Sequence, residues 1–157
     1  MVGTMIITKN GYTKLQKEIY KLKSVDLVLA IEELENTRPI GVGDEFPTEY
    51  IQALETINMI ENKISKLQNI FYDIKIFDKT MIKDNNAIGF GATVEIENVD
   101  TEKKFNYTIV SSYESDISNG YISIESPMVC EMLGLKIDDE FEVNNNCYVI
   151  NSIEYHF

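Results

Sequence analysis

The stretch Gly41-Val42-Gly43-Asp44-Glu45-Phe46-Pro47-Thr48-Glu49-Tyr50 decides the fold, because it separates two long helical patterns. Its glycines and proline predict a tight turn between two helices, since both residue types disrupt helical geometry. Asp44, Glu45 and Glu49 crowd together there, so an antiparallel hairpin would carry three carboxylates at its far end. Two interpretations stay open. The acids supply oxygen ligands to a hard cation such as Mg²⁺, or they belong to a polar loop with helix N-caps and an acid in the first turn.

The segment before this turn predicts a helix of about 30 residues. Thr8-Lys9-Asn10-Gly11 offers N-cap candidates. Thr37-Arg38-Pro39 marks the end, because proline disfavours helical geometry in the residue before it. The apolar positions first follow 3-4-3 spacing, and a second group then continues the predicted core side less regularly. They are Tyr12, Leu15, Ile19 and Leu22, followed by Val25, Leu29 and Leu34, with Val28 and Ile31 widening the stripe.

The segment after the turn carries the clearer helical signal. Its apolar residues alternate in steps of three and four, which is a heptad seam. The seam comprises Tyr50, Ala53, Ile57, Ile60, Ile64, Leu67, Phe71 and Ile74. Such a seam needs a partner, and the nearest one is the preceding helix. The sequence therefore predicts an antiparallel coiled-coil hairpin whose seam residues form core and do no chemistry.

Composition limits the remaining function classes. The chain has 157 residues, of which 44% are hydrophobic. No apolar run approaches the ~20 residues of a membrane span, and there is no signal-peptide pattern. These features predict a cytoplasmic protein. Cys130 and Cys147 lie far apart, so a zinc site is not expected and a reducing compartment fits. Cys130 falls in an apolar helical run and is predicted to be core.

Charge argues against broad binding of duplex nucleic acid, because the formal net charge is −12. Residues 1–78 have nine basic and twelve acidic residues (9 − 12 = −3), and residues 79–157 have five and fourteen (5 − 14 = −9). The second half suits either a basic partner surface or simple solvation. Five lysines on the opening segment could likewise contact phosphates or form a solvated helix face: Lys9, Lys14, Lys17, Lys21 and Lys23.

The second half changes period from 3.6 to 2, so we place a domain boundary near Lys79, between domains 1–78 and 79–157. Alternation predicts strands over 92–97, 105–110, 121–124, 141–143 and 147–150. Asn144-Asn145-Asn146 predicts a hairpin turn. Ser126-Pro127 predicts the cap and first residue of a short helix over 128–133, because proline suits the first helical position. The expected fold is α+β: the helical hairpin followed by a small twisted β-sheet with one short helix.

Several motifs resemble the bacterial Gre transcript-cleavage factors over nearly the whole chain. The matching segments, in order, are Gly11-Tyr12-Thr13-Lys14-Leu15, Leu22-Lys23-Ser24, Phe90-Gly91-Ala92-Thr93-Val94, Tyr107-Thr108-Ile109-Val110, Glu114-Ser115-Asp116, Ile122-Ser123-Ile124-Glu125-Ser126-Pro127, Leu133-Gly134 and Asp138-Asp139. The resemblance implies an FKBP-like second domain that docks at the secondary-channel entrance of RNA polymerase, and a coiled coil inserted in the channel. It also implies an accessory factor, not an enzyme, whose tip acids share a Mg²⁺ with the polymerase and reach the 3′ end of backtracked RNA only indirectly.

The resemblance carries roles onto particular residues. Asp44 and Glu45 are the expected tip acids that assist catalysis and share the metal, with Glu49 as tip support. The expected polymerase-docking residues are Ser112, Tyr113, Glu114, Ser126 and Pro127. The protein is expected to be a monomer, without membrane contact and without Mg²⁺ bound in isolation.

The tip departs from the family pattern. Only Glu49-Tyr50 match cleanly. Counting forward from Arg38 puts Val42 at the family's Asp position and Glu45 at its Glu position, with one residue inserted before Glu49. Matching Gly43-Asp44 to the family's Gly-Asp instead leaves a one-residue deletion and puts Phe46 or Pro47 where the Glu belongs. The Arg-Pro that usually follows the Leu22-Lys23-Ser24 motif is also missing. Two functions therefore stay open within the family: a working cleavage factor, or a regulator that occupies the channel without stimulating cleavage. Outside the family, the alternative is a coiled-coil interaction module with no polymerase partner.

Overall fold

The computed structural model describes residues 3–41, 43 and 45–156. They form two compact units. One contains residue 3 and Tyr12–Ile74 and is helical, and the other contains Thr4–Gly11 and 75–156 and is mainly β-sheet. No helix in these described ranges combines the length and the apolar character needed to cross a membrane.

The helical unit is an antiparallel hairpin, as predicted. Its first arm consists of α1 (Lys9–Lys21), a π-helical turn (Leu22–Asp26) and α2 (Leu27–Asn36), and its second arm is α3 (Thr48–Tyr72). The predicted seam of α3 faces inward, with Ala53, Ile64 and Leu67 buried. Between the arms, Tyr12 stacks on Phe71 with ring centroids 5.4 Å apart, and Lys63 pairs with Glu18 at 2.9 Å. The arms are therefore held mainly by apolar packing, with polar contacts at the edges.

The π-helical turn corrects the predicted stripe of the first arm. The backbone N–H of Leu27 bonds to the carbonyl of Leu22, a five-residue step that inserts one extra residue into the helix. The seam therefore runs through Leu15 and Leu22 and re-emerges at Ala30, all three buried. The expectation that the core side continues through Val25 and Leu29 is wrong, because the extra residue rotates both to the outside, 44% and 58% exposed.

The first short sheet was not predicted. Residues Met5–Ile7 form β1, which pairs with β2 (Ile74–Ile76). Ile74 was assigned to the helical seam, but α3 ends at Tyr72 and Ile74 opens the strand. The spacing of Ile74 fits the heptad, so periodicity alone did not distinguish the two states.

The main sheet has five strands in the order β5-β4-β3-β7-β6. Their bounds are β3 Ala92–Asn98, β4 Lys104–Val110, β5 Tyr121–Ser123, β6 Glu140–Val143 and β7 Asn146–Tyr155. Neighbours run antiparallel except β4 and β5, which are parallel. The sheet is therefore mixed, and its strands agree with the predicted alternation, apart from a longer β7. The β6–β7 turn places Asn144 and Asn145 at φ of 50° and 62°, left-handed values that asparagine tolerates.

One face of this sheet packs on the short helix α4 (Pro127–Met132). Ala92, Val94 and Ile96 alternate into this core, where Val129 and Met132 of α4 are also fully buried. Ser126 caps α4 as predicted, its Oγ accepting a hydrogen bond from the N–H of Val129 at 3.3 Å. Cys130 was predicted to be core, but its side chain is exposed, because α4 buries only the helix face that carries Val129 and Met132.

The opposite face of the sheet is polar and has a bulge. The β3–β7 register shifts between Glu95 and Ile96, which leaves Asn151 as the extra residue. Asn151 donates hydrogen bonds to Glu95 at 3.2 Å and Glu97 at 2.9 Å. Lys104 approaches the same two carboxylates at 3.4 and 3.8 Å. Glu95 and Glu97 thus have partners within the sheet itself, one shared lysine and one shared amide.

Candidate functional site

The hairpin tip begins where α2 ends. The hydroxyl of Thr37 donates to the carbonyls of Glu33 and Leu34 at 3.0 and 3.1 Å, which satisfies carbonyls of the last helical turn. Pro39 then prevents continuation of the helix, and Ile40 beyond it is fully exposed. The chain therefore leaves the first arm abruptly, as the Thr37-Arg38-Pro39 signal predicts.

The second arm begins without the expected side-chain cap. Pro47 occupies the cap position of α3, which lacks a side-chain cap hydrogen bond, and its carbonyl accepts from the N–H groups of Tyr50 and Ile51 at 3.0 and 3.2 Å. Phe46 stacks on Tyr50 with ring centroids 5.3 Å apart while remaining 62% exposed. An aromatic pair therefore stands at the start of α3, where the helix would ordinarily take a polar cap.

The structure describes two of the three predicted tip acids, Glu45 and Glu49. Glu45 lies just before α3, and Glu49 lies in its first turn; both side chains are exposed. Neither makes an ion pair with any described residue. Asp44, the other predicted tip acid, lies outside the described residues, as does Val42. A carboxylate in the first turn of a helix is favoured by the helix dipole, so the position of Glu49 has a structural reason of its own.

Metal ligation at the tip is limited by the number of donors. No group of three His, Cys, Asp or Glu side chains able to hold a metal occurs among residues 3–41, 43 and 45–156. Glu45 and Glu49 offer carboxylate oxygens, which Mg²⁺ accepts, but Mg²⁺ requires near-octahedral oxygen coordination. The carboxylates of Glu45 and Glu49 supply only part of such a coordination shell.

The docking candidates lie on two segments that the structure brings together. A 3₁₀ turn over Ser112–Glu114 follows β4, and the segment Ser123–Pro127 joins β5 to α4. The hydroxyl of Ser112 donates to Glu125 Oε2 at 2.6 Å and lies 3.1 Å from the hydroxyl of Ser123. These contacts and the neighbouring Pro127 form one surface, which we call the serine surface: the exposed Ser112, Glu125 and Pro127 and the half-buried Ser123.

The other docking candidates have internal roles. The Ser126 side chain is occupied as the cap of α4. Glu114 turns away from solvent and accepts hydrogen bonds from Ser111 Oγ at 2.9 Å and from the Thr8 N–H at 3.1 Å. Tyr113 is half-buried. Sequence reasoning missed both partners of Glu114. Ser111 is only three residues away, whereas no local spacing signals the contact with Thr8 across 106 residues.

The predicted lysine stripe on α1 is exposed along its whole length. All five lysine side chains from Lys9 to Lys23 lie on the surface, and Lys21 pairs with Asp26 at 3.6 Å. Exposure fits both predictions for this stripe, a solvated face and a phosphate contact, so the two stay open.

Comparison with known families covers both units. The sequence profile "Transcription elongation factor, N-terminal" matches residues 5–76, and the profile "Transcription elongation factor, GreA/GreB, C-term" matches residues 83–155. The chain belongs to the GreA/GreB family of transcription elongation factors. Its relatives include a "Transcription elongation factor GreA" from Syntrophus aciditrophicus, 36% identical over 140 residues that cover 89% of this chain and 86% of that protein.

A second Gre relative matches from end to end. The "Transcription elongation factor GreA" from Buchnera aphidicola subsp. Cinara cedri is 33% identical over 159 residues, covering 99% of both chains. Among solved structures, the Thermus thermophilus GreA factor homolog 1 covers 96% of this chain and 98% of its own, at 22% identity and a TM-score of 0.42. Likeness at that level carries no argument about function, so the assignment to the Gre family rests on the sequence matches.

Proposed function

We propose that this Gre-family chain binds RNA polymerase and stimulates the polymerase's own cleavage of backtracked RNA. Matches to both family profiles over residues 5–76 and 83–155 carry the proposal. The hairpin enters the polymerase's secondary channel, and the sheet unit docks at the channel entrance. The protein is then a cytoplasmic accessory factor, and the reacting groups belong to the polymerase.

Each unit has features suited to its role. The hairpin carries the exposed carboxylates of Glu45 and Glu49 at its far end, which is the part able to enter a narrow channel. The serine surface of the sheet unit combines serine hydroxyls with Pro127 at the start of α4, a polar and apolar mixture typical of transient protein contacts. The net charge of −9 over residues 79–157 favours a partner surface with basic groups.

The tip contributes ligands, not a complete metal site. Glu45 and Asp44 would hold a Mg²⁺ that is shared with polymerase carboxylates, and this ion would activate water and neutralise developing charge. Glu49 supports the start of α3 through the helix dipole. Because the hairpin supplies so few donors, it binds no Mg²⁺ tightly until the polymerase supplies the rest.

The test is RNA cleavage in stalled, backtracked complexes with tip variants of the full chain. Asp44→Asn and Glu45→Gln are expected to lower the stimulated cleavage rate sharply with polymerase affinity almost unchanged, since a ligand lost at the reacting metal affects the chemical step. Glu49→Gln is the matched control and is expected to do much less. Equal cleavage rates for all three variants and the unchanged chain would refute the role of the tip acids.

A second function is favoured by one observation, the aromatic and proline residues within the tip. Phe46 and Pro47 stand between Glu45 and Glu49, and Phe46 stacks on Tyr50. A tip altered in this way suits a regulator that occupies the channel without stimulating cleavage. Such a regulator would compete with an authentic Gre factor for polymerase while leaving the RNA intact, and the same assay distinguishes the two functions.

A further inference from the structure

The Glu114 side chain makes a set of contacts that the proposed function does not use. Its carboxylate accepts from the Thr8 N–H at 3.1 Å, from the Ser111 hydroxyl at 2.9 Å and from the Thr8 hydroxyl. Ser111 is only 1% exposed. A carboxylate that accepts several hydrogen bonds, one from a buried donor, is held in one orientation.

The contacts between Glu114 and Thr8 lie at the first turn of α1. Thr8 is the cap residue, since its Oγ1 also accepts from the Gly11 N–H at 3.0 Å. The Thr8 hydroxyl therefore donates to Glu114 and accepts from the helix at once. A carboxylate beside the first helical turn is further favoured by the positive end of the helix dipole.

The sequence leaves space for the Glu114 carboxylate at Gly11. A Cβ on Gly11 would lie 2.1 Å from Glu114 Oε1 and 2.3 Å from its Cδ. Glycine disfavours a helix by about 1 kcal/mol relative to alanine, so its presence within the first turn needs a reason. Because Gly11 has no side chain, the Glu114 carboxylate fits beside its Cα. We call Thr8, Gly11, Ser111 and Glu114 the helix latch.

We propose that Glu114 is a positioning residue that links the proposed docking surface to the start of the hairpin helix. The inference rests on the proposed function, because Glu114 ends the 3₁₀ turn that begins at Ser112, in the serine surface. A partner that binds Ser112 constrains this turn, and the turn holds the first residues of α1 through Glu114. Docking and the formation of the first helical turn are thereby energetically coupled. Glu114 itself does not touch the partner.

The coupling predicts that breaking the helix latch lowers the cleavage rate but leaves polymerase affinity nearly unchanged. With the helix latch broken, the serine surface still binds the polymerase, but residues 9–11 fray and the first turn of α1 is lost. The expected result is polymerase affinity within about threefold of the unchanged chain, and a cleavage rate at saturating factor that falls on the order of tenfold. Loss of a docking residue such as Ser112 gives the opposite result: weaker affinity and an unchanged rate at saturation.

The experiment uses matched variants of the full chain. Thr8→Val removes the hydroxyl at nearly constant volume, whereas Thr8→Ser keeps it. Glu114→Gln removes the charge, and Glu131→Gln, an exposed acid on α4, is its control. The two readouts are hydrogen exchange of the Gly11 amide, which needs no polymerase, and polymerase affinity measured beside the saturating cleavage rate.

The helix latch predicts faster Gly11 exchange in Glu114→Gln, and faster exchange still in Thr8→Val, which also removes the acceptor of the Gly11 N–H. Near-normal exchange is expected in Thr8→Ser and Glu131→Gln, and Glu114→Gln should have less effect in the Thr8→Val background than alone. Unchanged Gly11 exchange in Glu114→Gln would overturn the latch. Faster exchange with an undiminished cleavage rate would overturn the coupling. Failure of the proposed function is distinguishable, because the unchanged chain would then stimulate no cleavage, and the exchange measurements would still decide whether the latch exists.

Discussion

Gly11 is a glycine because a carboxylate occupies the space of its side chain. Gly11→Ala would gain about 1 kcal/mol of helix propensity, yet the new Cβ would displace the Glu114 carboxylate and break its hydrogen bonds to Thr8 and Ser111. A hydrogen bond to a charged group contributes about 1.5–3 kcal/mol. We expect a net loss of stability in urea unfolding. In a Glu114→Ala background the obstacle is gone, so the same substitution should stabilise the protein. Gly3→Ala, with nothing within 4 Å, is the control. The same sign in both backgrounds would contradict the close approach.

Tyr155 gives a pH-dependent prediction. Burial raises the pKa of Tyr155 above its ordinary value, and its hydroxyl donates to the Ala87 carbonyl at 2.8 Å. The folded state holds this proton more tightly, so its contribution to stability is complete below pH ~10 and is lost as pH rises through the folded pKa. Tyr155→Phe should cost about 0.5–1.5 kcal/mol at neutral pH and make the alkaline loss shallower. The check is urea unfolding between pH 7 and 11, with the exposed Tyr72→Phe as control. An unchanged alkaline slope would contradict the assignment.

At the scale of single residues, the sequence predicts the role of a residue when its contacts lie within a few positions along the chain. Ser126 as a cap and the asparagines of the β6–β7 turn follow from spacing of one to three residues. The Glu114 contact with Thr8 does not, because it joins positions 106 residues apart. Glu114 is a docking candidate on the Gre resemblance alone. The structure adds the contact of its carboxylate with Thr8, and its docking role stays a prediction. Asp44 lies outside the described residues, so its role stays a prediction.

At the scale of elements, the π-helical turn joins two helical segments whose apolar stripes are offset by one residue. The first arm keeps 3-4-3 spacing up to Leu22, and its buried seam re-emerges at Ala30, eight residues later, where a regular seam would step seven. Deletion of Ser24, an exposed residue inside the turn, should therefore restore a continuous heptad and change stability by no more than about 1 kcal/mol. Deletion of Glu33 in α2 is the control, and it should destabilise strongly because it moves Leu34 out of the seam. Circular dichroism during urea unfolding measures both. Equal losses would contradict the role of the turn as a one-residue insertion.

The seam of α3 gives the second prediction at this scale. Ile64 is 7% exposed within the hairpin, so Ile64→Ala should cost about 2–5 kcal/mol as a large-to-small core change. Met59→Ala, on the same helix at 72% exposed, should change stability by less than about 0.5 kcal/mol. Similar melting curves for the two variants would refute the packing of the seam.

The elements themselves were predictable wherever one period held over many residues. Helix α3 and the alternating strands β3 and β4 agree with the sequence patterns for that reason. Strands β1 and β2 were not predicted, because three-residue strands carry too little alternation to distinguish them from helix or loop. The stripe of α2 was predicted out of phase, because a single inserted residue changes which side chains face the partner helix without changing the composition.

At the scale of the whole molecule, the proposed function assigns different tasks to the two units. Under that proposal, the sheet unit provides affinity for polymerase and the hairpin provides the tip. Ile64→Asp buries a charge in the hairpin seam, which should unfold the helices and leave the sheet intact. The full-length variant should therefore still bind polymerase but no longer stimulate cleavage. A binding measurement in parallel with circular dichroism checks this, and the division is wrong if binding is lost while the sheet signal remains.

The cleavage rate of RNA in a stalled, backtracked polymerase complex, with and without this protein, tests the central claim most directly. The account predicts that the full chain shortens the RNA from its 3′ end faster than the polymerase does alone, with Mg²⁺ present in both reactions. A rate that does not change at factor concentrations that saturate polymerase binding would contradict it.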